Sequence, residues 1–328
     1  MLEYKHCLLI VSKRMLLTII LTTLPTLLYT TFLWWLDRYE KEPWPLLLAV
    51  FVWGAVPAVA LALIAEVQSR EATLPAHNEL SIWLAPLVEE PLKALALIGV
   101  FLFFRYEFDN MLDGIIYGAL IGFGFAMTEN ALYFYREGSA LSSLLWLRVV
   151  LFGFNHAFYT SIVGVALGLI RYNQRRWAGW IALPGALFLA IAFHAMHNVA
   201  SNYAFPGVLI AWLISSCGVL IVLLIAVITW RKEQSWIDHE LIEEVQVGFI
   251  DPTTYNTVRS SRRRARSQWR ALLHGGWGAL QTVRMLHHHL TELAFLKYQL
   301  RIGDCHCRAA DLQPLRQRIL EGMVDEFH

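Results

Sequence analysis

The sequence predicts an all-α, polytopic membrane bundle of about seven transmembrane helices with a small helical tail. Three observations predict it. First, 57% of the 328 residues are apolar and only 16% are charged, against ~25% charged in a typical globular chain. Second, apolar runs recur at the ~20 residues that a helix needs to cross a bilayer core. Third, about half of the charged residues lie in the last 98 positions, which leaves the first 230 nearly charge-free for their length. Mean hydropathy is +0.47. These figures exclude an ordinary soluble enzyme and a disordered chain. A net charge of +1 gives no reason to expect a nucleic-acid partner for the chain as a whole.

The seven runs fall at about 15–36, 45–65, 81–104, 113–135, 144–170, 178–200 and 206–230. Charges collect between them, as in Asp37-Arg38-Tyr39-Glu40-Lys41-Glu42, Glu66 to Glu79, Arg105 to Asp113, Arg136-Glu137 and Arg171 to Arg176. Trp34, Trp35, Trp44, Trp83, Trp146, Trp177, Trp180 and Trp230 stand at or near the ends of runs. Amphipathic rings gather there at the lipid–water boundary. Residues 1–230 therefore read as a membrane domain, with its polar motifs in 81–200, and 231–328 as a polar, partly basic helical tail.

Loop charges set the orientation. With the N-terminus outside, the inner loops carry Arg38, Lys41, Arg105, Arg171, Arg175, Arg176, Arg231 and Lys232, and the outer ones Arg70, Arg136 and Arg148. Lys5, Lys13 and Arg14 oppose this; Met15, which opens the first apolar run, is a second candidate start. The tail is therefore expected in the cytoplasm. In the tail, Arg259, Arg262, Arg263, Arg264, Arg266 and Arg270 offer contact with anionic lipid. Leu290, Leu293, Leu296 and Leu300, then Leu312, Leu315 and Ile319, recur at helical spacing and predict a hairpin broken near Gly303-Asp304. His287-His288-His289 falls on successive helix faces and makes a poor metal site. Cys7, Cys217, Cys305 and Cys307 give no disulfide framework, and Cys305-His306-Cys307 has no second ligand pair at zinc spacing.

The chemistry lies in the few ionisable groups inside the runs. Such groups cost at least ~2.5–3.5 kcal/mol each on insertion scales and persist where they pair or work. They are Glu89, Glu90 and Lys93 in the third run, Glu129 in the fourth, His156 in the fifth, and His194 and His197 in the sixth, accompanied by Asn130, Asn155 and Asn198. Successive helices run in opposite directions. At ~1.5 Å per residue, Glu89, Glu129, His156 and His194 all come within roughly 9–15 Å of one membrane face, the outer one in this orientation.

Spacing supports the meeting. Lys93 stands three residues from Glu90 and four from Glu89, within reach of either. Pro91 removes a helical hydrogen bond to Leu87 and predicts a kinked, opened helix. Gly114, Gly118 and Gly122 repeat every fourth residue, as do His156, Thr160, Gly164 and Gly168, so two helices can approach closely. His194 and Asn198 share a helix face; His197 is turned away and is the weaker candidate. A carboxylate beside histidine can take a proton from water, and a second histidine or Asn198 can donate to an oxyanion. The same set can instead hold zinc through His156, His194 and Glu89 or Glu90. Both remain open from the residues alone, because no His-Glu-x-x-His motif is present.

In these stretches the chain resembles the PrsW-type intramembrane proteases, which are similar to the CAAX-type prenyl endopeptidases. They are Leu36-Asp37-Arg38-Tyr39-Glu40 with Glu42-Pro43; Ala85 to Lys93 with its Glu89-Glu90 pair; Asp113-Gly114 through Gly122 to Glu129-Asn130; His156 with Gly164; and His194 with Asn198. The resemblance covers residues 15–200. It implies cleavage of a single-pass, membrane-tethered protein near the extracytoplasmic face, an anti-sigma factor being the best known kind. It implies a bacterial cytoplasmic membrane, Glu89 and Glu90 as essential carboxylates, and Glu129, His156 and His194 at the other polar positions; Lys93, Asn130 and Asn198 are supporting residues by their place beside these in the runs. It leaves zinc or no cofactor open. Rival readings are a non-catalytic scaffold, a proton-coupled transporter and a prenyl endopeptidase. The transporter is disfavoured because no inverted repeat is visible.

Overall fold

The computed structural model describes residues 2–36, 41–72, 77–104, 107–108, 110–137, 145–172, 176–303 and 309–326. Of these, 2–15, 36, 69–72, 77–81, 136–137, 145–146, 172, 176–179, 204 and 324–326 contribute backbone only. The sequence readings at Asp37-Arg38-Tyr39-Glu40 and Cys305-His306-Cys307 lie outside the described residues, as do those on the side chains of Cys7, Trp146 and Trp177. The described chain is helical, with no strand among these residues, and divides into two compact units after Ala226.

In the first unit, α1 spans Leu2–Leu36 and α2 Trp44–Trp53. A π-helical turn, Gly54–Ala58, joins α2 to α3, Val59–Ala72. Pro57 explains that turn: it has no N–H to donate and its ring crowds the carbonyl four residues back, so the helix widens there. Then come α4, His77–Phe103, and α5, Met111–Glu137. Another π-helical turn, Leu145–Leu151, precedes α6, Asn155–Tyr172, followed by α7, Arg176–Ser201, and α8, Ala204–Gln246.

Six described segments are long and apolar enough to cross a membrane: 16–35, 44–68, 111–135, 147–171, 180–201 and 205–246. The third predicted run, α4, is absent from that set. Its 27 residues suffice in length, but Glu89, Glu90 and Lys93 fall within one turn and a half. All three side chains are buried inside the bundle. Trp34, Trp35, Trp44, Trp83 and Trp180 are exposed on the outside of the unit, as the boundary reading expects, whereas Trp230 is half-buried against the core of the second unit.

α5 is the central helix, with 89% of its apolar window buried against 22% for α7. Its start is fixed by Asn110, whose Oδ1 accepts from Leu112 N at 2.6 Å, while Asp113 Oδ2 accepts from Asn110 N at 2.9 Å. This reciprocal arrangement satisfies two donors that a helix start leaves free. The two glycine rows meet as the spacing predicts. A Cβ on Gly114 would stand 2.1 Å from Gly164 O, one on Gly164 1.9 Å from Gly114 O, and one on Gly122 2.3 Å from His156 O. The backbones of α5 and α6 are thus in direct contact, and any side chain at these positions would push them apart.

α4 departs from expectation: it runs as one helix through both Pro86 and Pro91. Pro86 frees the carbonyl of Ile82, and Asn198 Nδ2 on α7 donates to that oxygen at 3.4 Å. Trp53 Nε1 on α2 donates to Leu92 O at 3.0 Å. Neighbouring helices thus serve carbonyls of the proline-containing stretch, which is how a bundle tolerates proline at membrane depth.

The second unit begins at Val227 and contains the end of α8, α9 at Pro252–Val258, α10 at Ser261–Arg301 and α11 at Leu312–Glu326. Its core is Ile237, Leu241, Leu286, Leu290, Leu293, Leu315 and Ile319, so the leucine rows of the sequence pack as predicted. α10 holds an extra reversal that the sequence reading lacked. Gly276 has φ +72°, a conformation that favours glycine. Arg264 Nη1 lies 3.3 Å from Thr291 Oγ1, and Gln268 Nε2 lies 3.4 Å from His287 Nδ1, so the two halves of α10 run antiparallel.

Candidate active site

Four helices of the first unit bring the predicted residues to one level. Glu89, Glu90 and Lys93 come from α4, Glu129 and Asn130 from the last third of α5, His156 from the first turn of α6, and His194 from α7. Lys93 is completely buried, Glu90 1% exposed, His194 4% and Glu89 5%, so the carboxylates face neither lipid nor bulk water.

The distances define one continuous chain of polar contacts. Lys93 Nζ donates to Glu90 Oε1 at 2.6 Å and lies 3.2 Å from His156 Nδ1. His194 Nδ1 lies 2.7 Å from the same Glu90 Oε1. On its other side, His156 Nε2 lies 2.9 Å from Glu129 Oε2, and Arg148 Nη2 meets that oxygen at 2.9 Å. A carboxylate only accepts, so these contacts place hydrogen on His194 Nδ1 and His156 Nε2; His156 Nδ1 then accepts from the lysine or, with the lysine displaced, serves a cation. The order is Arg148, Glu129, His156, Lys93, Glu90, His194. Aromatic faces enclose it: Phe125 lies 4.4 Å beneath the lysine ammonium, and Tyr159 stacks on His194 at 5.1 Å.

Glu89 differs from Glu90. Its Oε2 is 3.8 Å from His194 Nδ1 and 3.9 Å from Lys93 Nζ, beyond hydrogen-bond range. Glu89 Oε2 and Glu90 Oε2 are both buried without a hydrogen-bond partner. Isolated buried carboxylate oxygens are costly, and a cation would satisfy them. One ligand atom each from Glu89, Glu90, His156 and His194 fall within 4.8 Å of one another. Carboxylate oxygen and imidazole nitrogen are the donors that zinc takes at catalytic sites. The residues therefore fit a divalent cation, with Lys93 bordering the same space.

The remaining predicted residues are placed differently. Asn130 Oδ1 accepts from Arg148 Nε at 2.9 Å, so it holds the arginine and does not face the carboxylate pair. Asn198 Nδ2 donates to Ile82 O at 3.4 Å and has no contact with the chain of polar groups among those described. His197 Nδ1 lies 3.3 Å from Asn155 Nδ2 and its ring packs on Phe152 at 4.4 Å, apart from the chain of contacts. Thr160 donates back to His156 O at 3.1 Å.

Arg148 is the residue that sequence reasoning misplaced. It was read as an outer-loop charge, yet it ends the polar chain and also lies over the Tyr133 ring at 3.7 Å. Its position four residues inside a predicted run was the available signal. Glu129 and Arg148 are 20% and 25% exposed, which makes this end the accessible edge of the cluster. At the far end of α5, Tyr117 donates to buried Glu42. That contact ties the Glu42-Pro43 and Asp113–Gly118 stretches together, 12 residues from Glu129 and away from the cluster.

Comparison with known proteins adds a consistent family. A family model described as PrsW family intramembrane metalloprotease matches residues 42–230. The chain is 29% identical over 155 residues to Protease PrsW of Geobacillus kaustophilus, covering 47% of this chain and 67% of that one. It is 32% identical over 148 residues to Protease PrsW of Clostridioides difficile, covering 43% and 62%. With Protease PrsW of Shouchella clausii the identity is 27% over 199 residues, covering 58% and 90%. The chain thus spans about two thirds of the length of the first two relatives. No solved structure matches.

Proposed function

The chain belongs to the PrsW family of intramembrane proteases, and on that premise we propose that it hydrolyses a peptide bond of a single-pass membrane protein near the extracytoplasmic face. The observation that carries the proposal is the convergence of Glu89, Glu90, His156 and His194, with ligand atoms within 4.8 Å of one another in a buried site. The substrate is a membrane-tethered regulator with a short outer segment, of the anti-sigma-factor kind that the resemblance implies. The preferred orientation, with the tail in the cytoplasm of a bacterium, rests on the distribution of Lys and Arg.

Glu89 is the proposed general base. Glu90 Oε1 already accepts from Lys93 and His194, whereas Glu89 Oε2 has no hydrogen-bond partner and can take a proton from water. Glu90 fixes the lysine and the histidine. Lys93 keeps a positive charge beside the pair, so that both carboxylates need not repel each other unopposed. Glu129 and Arg148 act through His156 and are positioning residues. A zinc ion held by Glu90, His156 and His194, which leaves Glu89 as the base, would polarise the scissile carbonyl and acidify the attacking water. Once formed, the proton on Glu89 passes to the departing amine, which closes the cycle.

Reporter cleavage in membranes tests this. Glu89→Ala and Glu90→Ala are each expected to abolish processing of a single-pass reporter while the protein stays inserted. Unchanged processing in both variants overturns the reading. Exhaustive chelation is expected to stop cleavage, with zinc restoring it. Survival of activity would assign water activation to Glu89 without a metal.

A further inference from the structure

The second unit carries a surface that the proteolytic reading does not use. From Pro252 to Thr291 the chain has no Asp or Glu, but it has seven Arg. The first half of α10 presents Arg263, Arg266, Arg270 and His274 along one wall of a groove of about 650 Å³, with Thr257 and Thr282 on the facing side. None of the three arginines has an acidic partner among the described residues. Two neighbouring arginines are occupied instead. Arg259 Nε pairs with Asp238 Oδ1 at 3.0 Å, and Arg264 is buried against Thr291. Arg263 Nη1 also donates to Asn256 O at 3.3 Å, and the row faces the groove with no carboxylate beside it among the described residues.

A second feature adjoins it. Trp269 is 64% exposed, Leu273 74% and Trp277 64%. At 100° per residue, Trp269 and Leu273 lie about a quarter turn around the helix from the arginine row. Trp277 follows the Gly276 reversal, so it stands at the tip of the hairpin. Exposed Trp and Leu beside unpaired arginine is the pattern of a helix that lies in a membrane interface, rings at the acyl boundary and guanidinium groups on phosphate. The charge complements an anionic leaflet, and the unit is covalently joined to a membrane-spanning one.

We propose that the α10 hairpin is a membrane-docking element: Trp269, Leu273 and Trp277 enter the interface of an anionic bilayer, and Arg263, Arg266 and Arg270 bind lipid phosphate. The choice of a bilayer over RNA rests on Leu273, which offers a base nothing to stack on but fits an acyl boundary.

The test uses the full chain in proteoliposomes, with a spin-labelled amino acid at position 273. Oxygen and nickel-chelate accessibilities report its depth. With phosphatidylglycerol in the vesicles, the label is expected to gain oxygen access and lose nickel access. In purely zwitterionic vesicles it should stay in water. Each Arg→Gln change in the row is expected to weaken docking about fivefold, and the triple variant to abolish it. Three results would overturn the proposal: a label that stays aqueous on anionic vesicles, insertion independent of lipid charge and of the arginines, or shielding by an added RNA oligonucleotide alone. Circular dichroism of the triple variant shows that any loss is not unfolding. Reporter cleavage in the same variant is expected to persist, which separates this proposal from the proteolytic one.

Discussion

The two units bury charge in different ways. In the first, three carboxylates (Glu89, Glu90 and Glu129) face two basic side chains, Lys93 and Arg148, with two histidines between them. In the second, Glu240, Glu243 and Glu244 face Lys297, Arg301 and Arg316, three against three. Glu244 meets Lys297 at 2.9 Å and Arg316 at 2.7 Å, and Glu240 meets Arg301 at 2.7 Å. Arg301 is 53% exposed and Arg316 31%, so the tail's network opens to water, whereas Lys93 is sealed. A balanced network open to water holds helices together. Glu240 Oε1 and Glu244 Oε2 of the tail are also buried without a hydrogen-bond partner, but each of those carboxylates keeps a basic group at 2.7 Å on its other oxygen. The nearest described basic group to Glu89 is 3.8 Å away, and on the proposed mechanism that carboxylate works on the substrate.

Charge substitutions sharpen this contrast. Glu90→Gln removes the negative charge that holds Lys93 and His194, leaving one neutral amide oxygen to accept from them, and kcat should fall by at least about a thousandfold. Pairing it with Lys93→Met should recover stability, since neutral replacements relieve a buried charge, without recovering cleavage. Recovery of both would mean that the buried charges are structural, like those of the tail. Gly164→Ala places a methyl group where Gly114 O stands. It should cost about 1–3 kcal/mol of stability in detergent, read from thermal unfolding, with activity lost in step. Arg148→Ala leaves the carboxylate pair intact but releases Glu129. The expected loss is about 10–100-fold in kcat with an altered pH profile, and Arg148→Lys should restore part of it.

The tail answers more weakly. Lys297→Met leaves Glu244 paired with Arg316, so about 1 kcal/mol of tail stability should go while cleavage is unchanged. The last signal is a slope with pH. Burial, and then the Arg264 guanidinium, lowers the imidazole pKa of His287 from 6.5 to about 3. The unfolded chain gains a proton below pH 6.5 that the folded tail refuses. Its stability is therefore full above about pH 6.5 and drains as pH falls toward 3. Hydrogen exchange of α10 at pH 7 and pH 4.5 measures it, and His287→Leu should flatten the slope.

Much of this could be read from the chain, for identifiable reasons. Few ionisable residues sat in long apolar runs, so Glu89, Glu90, Glu129, His156 and His194 stood out, and antiparallel geometry placed them at one level. The rows at Gly114 and Gly164 announced close contact because every fourth residue lacked a side chain. What was hidden depends on partners outside the local pattern. Arg148 looked like a loop charge because it stands at the edge of a run, where the helix is irregular. The contact of Asn198 with the carbonyl released by Pro86 could not be read locally because that carbonyl lies on another helix. The seventh run ended at Trp230 by hydropathy, yet α8 continues to Gln246. No Gly or Pro interrupts residues 219–247, and a helix need not stop where its apolar face does. The reversal at Gly276 was masked by the apolar and basic periodicity on either side.

The burial of α5 bears on how the protein is made. A helix that keeps glycine on its contact faces, and has 89% of its apolar window covered by protein, offers little surface for lipid to solvate. It gains its environment from its neighbours. Stable insertion of α5 therefore belongs to the second stage of membrane folding, when helices associate. The segment that supplies Glu129 and seats His156 is the one least able to settle in a bilayer alone, so the site comes into being only as the bundle closes around α5.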